Sequence, residues 1–188
     1  MEDGKIKARG LEIRRRDTPR FVFDSQTEMI DALTTANNTD ELRKNIPFAL
    51  EVVKKYRQKL LDDEVPIEDL IISKRMSRKP ERYRQHVSQV IAAEQLIKEG
   101  AEVHAGNSIK FLFTHSKDKR HERRVKAAQL IDEEVNPDCE KYLFLLYSAA
   151  ANLLSFAGYT IKSVYETVTG QDQKNLAEYW KKGEEMHG

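Results

Sequence analysis

The stretch DCEKYLFLLYSAAANLLSFA, residues 138–157, decides the fold of this chain. It begins at Asp138, which follows a proline, and from Tyr142 onward it carries no charged side chain. Serine and asparagine interrupt the apolar residues, whereas a membrane span needs about 20 strongly apolar residues. The residues that helical spacing predicts to face inward are Leu143, Leu146, Tyr147, Ala150, Leu153 and Leu154. We therefore expect a buried core helix that ends at Gly158.

Two further helices are predicted on the N-terminal side of this core helix. The pattern Ser25-x-x-Glu28 is typical of a capping box, so a helix is expected to begin there and to end at Asn37-Asn38. Apolar residues at helical spacing over residues 46–61 predict a second helix, antiparallel to the first.

A third helix and a small sheet are predicted in the middle of the chain. The helix covers residues 87–97 and is closed by Gly100. The run at 70–72 is strand-like, and residues 109–114 alternate in a way that predicts a strand with one wet face, on which Leu112 lies. The expected fold class is therefore mostly α (α+β), with a small antiparallel sheet.

Basic charge is concentrated in three stretches, although the formal net charge is only +1. Residues 74–86 hold six Lys/Arg against one Glu, for a net charge of +5, and residues 110–126 hold seven against two, also +5. Residues 1–20 carry +3, whereas residues 21–69 carry −5. If the fold brings the basic stretches together, they form a surface of the kind that neutralises phosphates; otherwise they are ordinary solvated faces.

Several site types are not indicated by the sequence. Cys139 is the only cysteine, so an internal disulfide is excluded and a reducing, cytoplasmic compartment is expected. The N-terminus is charged from Glu2 onward, so no signal peptide is predicted. The five histidines lack metal-ligand spacing, which predicts no metal site, and no phosphate-binding glycine loop is present. The acidic triplet 62–64 is interpreted as a solvated helix end.

The segment RGLEIRRRD, residues 9–17, resembles the point at which archaeal family B DNA polymerases pass from the palm domain to the thumb. Ser77-Arg78 and Tyr83 are similar to residues of the thumb loop that grips primer–template DNA, and His86 resembles the start of the next helix. Two residues are missing between Tyr83 and His86 relative to that family. The resemblance implies a palm–thumb junction at residues 1–20, a DNA-binding thumb domain at 21–168 and a C-terminal tail at 169–188.

The resemblance also implies which side chains contact the sugar–phosphate backbone of the primer–template duplex. These DNA-binding residues are Arg9, Gly10, Arg15, Arg16, Lys74, Arg75, Ser77, Arg78, Tyr83, Arg84, His86 and Arg124. Arginine guanidinium groups provide paired donors to phosphate, and backbone at a glycine can approach closely.

The tail carries a short pattern, Gln-x-x-aliphatic-x-x-aromatic-aromatic, that resembles the peptide by which replication proteins bind the sliding clamp. Its residues are Gln173, Leu176, Tyr179 and Trp180. In one helical turn the last three present an apolar plug, and aromatic anchors commonly dominate small interfaces. The alternative is an aromatic pair that packs on its own domain.

The Asp-Thr-Asp carboxylates that hold two metal ions in family B polymerases do not occur here, so no catalytic residue is assigned and the chain is expected to be inactive alone. The resemblance implies that the chain is part of a replicative DNA polymerase, which is a nucleotidyltransferase. The chain would be either the small subunit of a split polymerase or an excised domain. Its expected partners are primer–template DNA, a separate catalytic subunit that carries Mg²⁺, and the sliding clamp, with no membrane. The alternative is a free-standing nucleic-acid-binding or clamp-adapter protein with a thumb-like fold. The expected location is cytoplasmic and nucleoid-associated.

Overall fold

The computed structural model describes residues 17–36 and 38–170, so the predictions for residues 1–16 and for the tail lie outside the described part. The helices are α1 (Arg20–Thr34), α2 (Thr39–Lys44), α3 (Ile46–Leu61), α4 (Ile67–Leu70), α5 (Ser88–Lys98), α6 (Cys139–Leu153) and α7 (Ile161–Thr169). The strands are β1 (Ile72–Arg75), β2 (Ser108–Phe113) and β3 (Val125–Ala127). The mostly helical fold with a small antiparallel sheet is therefore confirmed. Within the described residues, no helix is long and apolar enough to span a membrane.

Helix α6 forms the centre of the helical layer, as its sequence predicts. The Asp138 side chain caps it by accepting a hydrogen bond from the Lys141 amide at 3.0 Å. The predicted inward face is confirmed at Leu146 and Ala150, which are fully buried. Helices α1, α3 and α7 pack against α6. The predicted helix end is wrong, because α6 ends at Leu153; a separate single-turn helix, Ser155–Ala157, follows, and Gly158 ends that turn in the left-handed conformation with φ at 80°.

The predicted start of the first helix is wrong. Helix α1 begins at Arg20, and Ser25 lies inside it, fully buried, with its hydroxyl donating to the Val22 carbonyl at 2.7 Å. The physical reason is that Phe21 and Val22 belong to the buried face, so the helix must include them. Its end at Thr34 also precedes the predicted one, because α2 begins separately with an Asn38 cap.

The three strands form one antiparallel sheet in the order β1-β2-β3. Ile72 pairs with Phe111, and Phe111 pairs with Ala127 on the other side. The expectation that Leu112 faces water is wrong, because it is fully buried. The single-turn helix Ala128–Leu130 lies against β2. Helix α5 packs on β2 and β3.

Tyr142 joins the helical layer to the sheet. Its hydroxyl donates to the Leu70 carbonyl at 2.9 Å and accepts from the Phe113 amide at 3.0 Å. Burial raises the pKa of Tyr142 above its ordinary value, so the hydroxyl stays protonated and able to donate. The Tyr142 side chain thereby links α6 both to Leu70, just before β1, and to Phe113 at the end of β2.

Candidate nucleic-acid interface

The backbone that leaves β1 is anchored by Met76. This residue is fully buried, its amide donates to the Asn107 carbonyl at 2.8 Å, and its carbonyl accepts from the Gly106 amide at 2.7 Å. Gly106 has a φ of 93°, a conformation that a side chain would strain. The Arg75 guanidinium donates to the Gly106 carbonyl at 3.2 Å. The start of the 74–86 stretch is therefore held by main-chain geometry.

Ser77 and Tyr83 close the loop that follows β1. The Ser77 amide donates to the Tyr83 hydroxyl at 2.9 Å, and the two hydroxyls are 2.9 Å apart. The hydrogen bond from the Ser77 side chain is the main reason that the pKa of Tyr83 is lowered. The hydrogen bond between the Ser77 and Tyr83 hydroxyls uses only one of their two protons, so the other proton is left for an external acceptor. The Arg78 guanidinium stacks over the Tyr83 ring, 5.2 Å from its centroid.

The described end of the first basic stretch reaches the same region. The Asp17 carboxylate is 3.6 Å from the Lys74 ammonium. A shallow depression lies between them, lined by Asp17, Ser73, Lys74, Arg75 and Gln89. The chain therefore passes from residue 17 beside β1, next to the basic loop.

Asp118 organises the arginines of the 110–126 stretch. Its carboxylate accepts from the Arg120 amide at 2.9 Å and lies 3.5 Å from the Arg123 guanidinium. The Asp118 carbonyl accepts from the Arg124 guanidinium at 2.8 Å. The backbone hydrogen bond from Arg120 is the largest cause that lowers the pKa of Asp118, so the carboxylate stays ionised. Arg124 is thus directed toward its own loop.

The two +5 stretches are neighbours in the fold. In the sheet, Ser73 pairs with Lys110 and Lys74 pairs with Ile109, so the two stretches start at adjacent positions of β1 and β2 and run in opposite directions from there. At their other ends, the His86 and His121 rings stack with centroids 3.7 Å apart. Gln95 of α5 fixes this arrangement, because its side chain bonds the carbonyl of Val125 and the amide of Ala127, both at 2.8 Å.

Of the predicted site residues that the structure describes, all but Arg124 lie on β1 or in the segment between β1 and α5. Those with exposed side chains are Arg75, Ser77, Arg78, Arg84 and His86. Those that are half-buried are Lys74, Tyr83 and Arg124. The predicted residues that lie outside the described part are Arg9, Gly10, Arg15, Arg16, Gln173, Leu176, Tyr179 and Trp180.

Sequence reasoning missed three residues that shape this surface. Asp118 orders the arginines around it, and an isolated acid within a basic run was its signal. Gln95 ties α5 to β3, and nothing in its sequence context indicates that role. Glu94 forms a cluster with His86 and His121, in which each residue offers one atom that could bind a metal ion and these atoms lie within 4.8 Å of one another. That set has two imidazoles, so it does not resemble the carboxylate cluster that suits Mg²⁺.

Comparison with known proteins gives consistent matches. The sequence model of the protein family described as DNA polymerase family B matches residues 1–156. The DNA polymerase of Thermococcus sp. (strain 9oN-7) is 28% identical over 142 residues, which are 76% of this chain and 17% of that protein. That of Pyrococcus glycovorans is 29% identical over 141 residues, 75% of this chain and 17% of that protein. The chain therefore spans less than a fifth of these relatives.

A solved structure shows a similar fold. It is that of the family B DNA polymerase from the hyperthermophilic archaeon Pyrobaculum calidifontis, with a TM-score of 0.61 and 20% sequence identity. The similar region covers 72% of this chain and 18% of that one.

Proposed function

The chain belongs to DNA polymerase family B, and from that premise we propose that it is a thumb part that grips primer–template duplex. In this proposal residues 21–168 form the thumb, residues 1–20 the junction with the palm, and residues 169–188 a clamp-binding tail. An active polymerase would then be completed by a separate chain that carries the palm.

The observation that carries this proposal is that the two +5 stretches start at adjacent positions of β1 and β2 and meet again where the His86 and His121 rings stack. Phosphates dominate the affinity of proteins for duplex DNA, and contacts to them carry no sequence information. A replicative enzyme must accept any sequence, so a surface of lysine and arginine on a fixed backbone suits that task.

Arg78 is the side chain best prepared for a phosphate. It is exposed, and the Tyr83 ring orders it without neutralising its charge. A guanidinium held in this way can present two parallel N–H groups to phosphate oxygens. The unused hydroxyl proton of the Ser77–Tyr83 pair adds a neutral donor beside it.

The chemistry of nucleotide addition is proposed to lie on the partner chain. The sequence has no Asp-Thr-Asp motif, and the described residues contain no converging carboxylate trio. The Mg²⁺ ions of the family are therefore not assigned to residues of this chain. What the chain contributes is duplex binding behind the primer end, and its tail would hold the sliding clamp through Tyr179 and Trp180.

The test mixes the full chain with a palm-bearing family B polypeptide and measures primer extension with and without the sliding clamp. We expect longer products only when both chains are present. Arg78→Ala should weaken duplex binding equally for all sequences and reduce the salt slope by about 1. Arg43→Ala, which removes an exposed arginine of α2 in the acidic region, is the matched control and should change neither.

Three outcomes would contradict parts of the proposal. Unchanged primer extension on adding the chain would refute the split polymerase. A flat salt dependence would refute the basic surface as a phosphate grip. Changing Tyr179 and Trp180 together to alanine should abolish the effect of the clamp and leave duplex binding intact, and an unchanged clamp effect would refute the role of the tail.

A further inference from the structure

We propose that His86, Glu94 and His121 bind a divalent transition-metal ion, with Zn²⁺ as the best fit. Each offers one ligand atom, and these atoms all lie within 4.8 Å of one another. The three come from separate elements: the segment before α5, α5 itself, and the single-turn helix His121–Arg123. The proposal does not depend on the function proposed above.

The spacing is close to what zinc requires. Zn–N distances of about 2.0–2.1 Å in a tetrahedral site place two ligand nitrogens about 3.4 Å apart. The His86 and His121 rings already stack with centroids 3.7 Å apart and planes 18° from parallel. Because imidazole lone pairs lie in the plane of the ring, the two stacked rings must turn about their side-chain bonds before both lone pairs and one carboxylate oxygen point at a common ion. Water would complete the fourth position.

The donor set selects the kind of ion. Two neutral imidazoles and one carboxylate suit Zn²⁺ and similar first-row metals, whereas Mg²⁺ and Ca²⁺ prefer oxygen ligands. Glu122 adds a second carboxylate, 3.8 Å from Nδ1 of His121. A carboxylate that accepts a hydrogen bond from the other ring nitrogen orients a metal-binding histidine and strengthens it as a ligand, so Glu122 would take that role once it moved within hydrogen-bond distance.

Two further features of the surrounding structure favour metal binding here. Gln95, next to Glu94 on α5, donates to the Glu122 carbonyl at 3.1 Å and so holds the turn that carries His121. The arginines of that turn do not oppose a cation at full strength, because Arg120 and Arg123 lie against the Asp118 carboxylate. The ion would clamp the 74–86 stretch to the 110–126 stretch, and His86 would then serve the ion, not a phosphate.

The test uses the full chain, without a histidine tag and after removal of metals by a chelator. Zn²⁺ is titrated calorimetrically, and Co²⁺ is added as a visible-absorption probe of nitrogen and oxygen coordination. We expect one ion per chain and a higher melting temperature with Zn²⁺, because the ion binds only the folded form. Excess Mg²⁺ should leave both results unchanged.

Variants identify the ligands. His121→Ala and Glu94→Gln should each weaken Zn²⁺ binding at least tenfold, the lower end of what even outer partners contribute. His104→Ala is the matched control, because His104 is exposed, lies 3.4 Å from the Glu102 carboxylate and belongs to a different loop. Absence of stoichiometric binding, equal affinity in the Glu94→Gln and wild-type chains, or an equal loss in His104→Ala would overturn the proposal. Glu94→Gln keeps the test valid if His121→Ala fails to fold.

Discussion

Replacing Tyr142 with phenylalanine removes a single oxygen atom that links the helical layer to the sheet. The ring keeps its packing, but the Leu70 carbonyl and the Phe113 amide lose a partner at 2.9 Å and 3.0 Å. A buried polar group left without a partner costs about 1–3 kcal/mol. Since the Phe113 amide is only partly buried, we expect Tyr142→Phe to lower the free energy of unfolding by about 2–3 kcal/mol.

Urea titration followed by circular dichroism measures this change, provided that the slope m stays constant. The matched control is Tyr147→Phe on the same helix. Among the described residues the buried Tyr147 hydroxyl has no hydrogen-bond partner, although the Arg57 guanidinium lies close enough to lower its pKa against the larger effect of burial. That variant should stay within about 0.5 kcal/mol of the wild type. Equal losses in both variants, or no loss in Tyr142→Phe, would refute the linking role.

Two smaller predictions concern other tyrosines. Burial, with the Glu28 carboxylate nearby, raises the pKa of Tyr56 to about 12, whereas an unfolded tyrosine ionises near pH 10. The protonated Tyr56 hydroxyl therefore contributes its full share to folding stability below about pH 10, and this share is lost as the pH rises through about 12. Tyr56→Phe should flatten the fall in the free energy of unfolding over that pH range. An unaltered pH profile would contradict this. Tyr83→Phe removes the acceptor of the Ser77 amide, so it should weaken duplex binding while thermal unfolding stays nearly unchanged. Wild-type affinity in that variant would show that the loop closure does not matter.

The helices with strong apolar spacing could be predicted, but several of their ends could not. The capping box at Ser25 failed because a local pattern does not reveal that Phe21 and Val22 pack in the core. Helix α7 was missed although its signals are local: Thr160 caps it, with Ser163 completing a capping box. Strand β3 has three residues, too few to show a period, and its place depends on pairing with β2.

The basic stretches of the candidate site could be read from composition, whereas their convergence could not. It depends on the pairing of β1 with β2 and on Gln95, which are tertiary features. For the same reason, spacing along the chain did not predict that His86 and His121 would stack. Glu94 lies on a helix that sequence marks only by its apolar face.

The two basic stretches differ in how their arginines are ordered, and we expect this difference to give them unequal shares in the proposed phosphate binding. Around Asp118 the guanidinium groups are held by a carboxylate, which fixes them but offsets part of their charge. Within the described residues Arg78 is held by the Tyr83 ring, which restricts its motion and leaves its charge intact. Both side chains are ordered, but a carboxylate offsets the charge of Arg123 and not that of Arg78, so Arg78 should contribute more to phosphate affinity than Arg123. In the proposed binding of duplex DNA, we then expect the 74–86 stretch to contribute most of the affinity and the 110–126 stretch to contribute less.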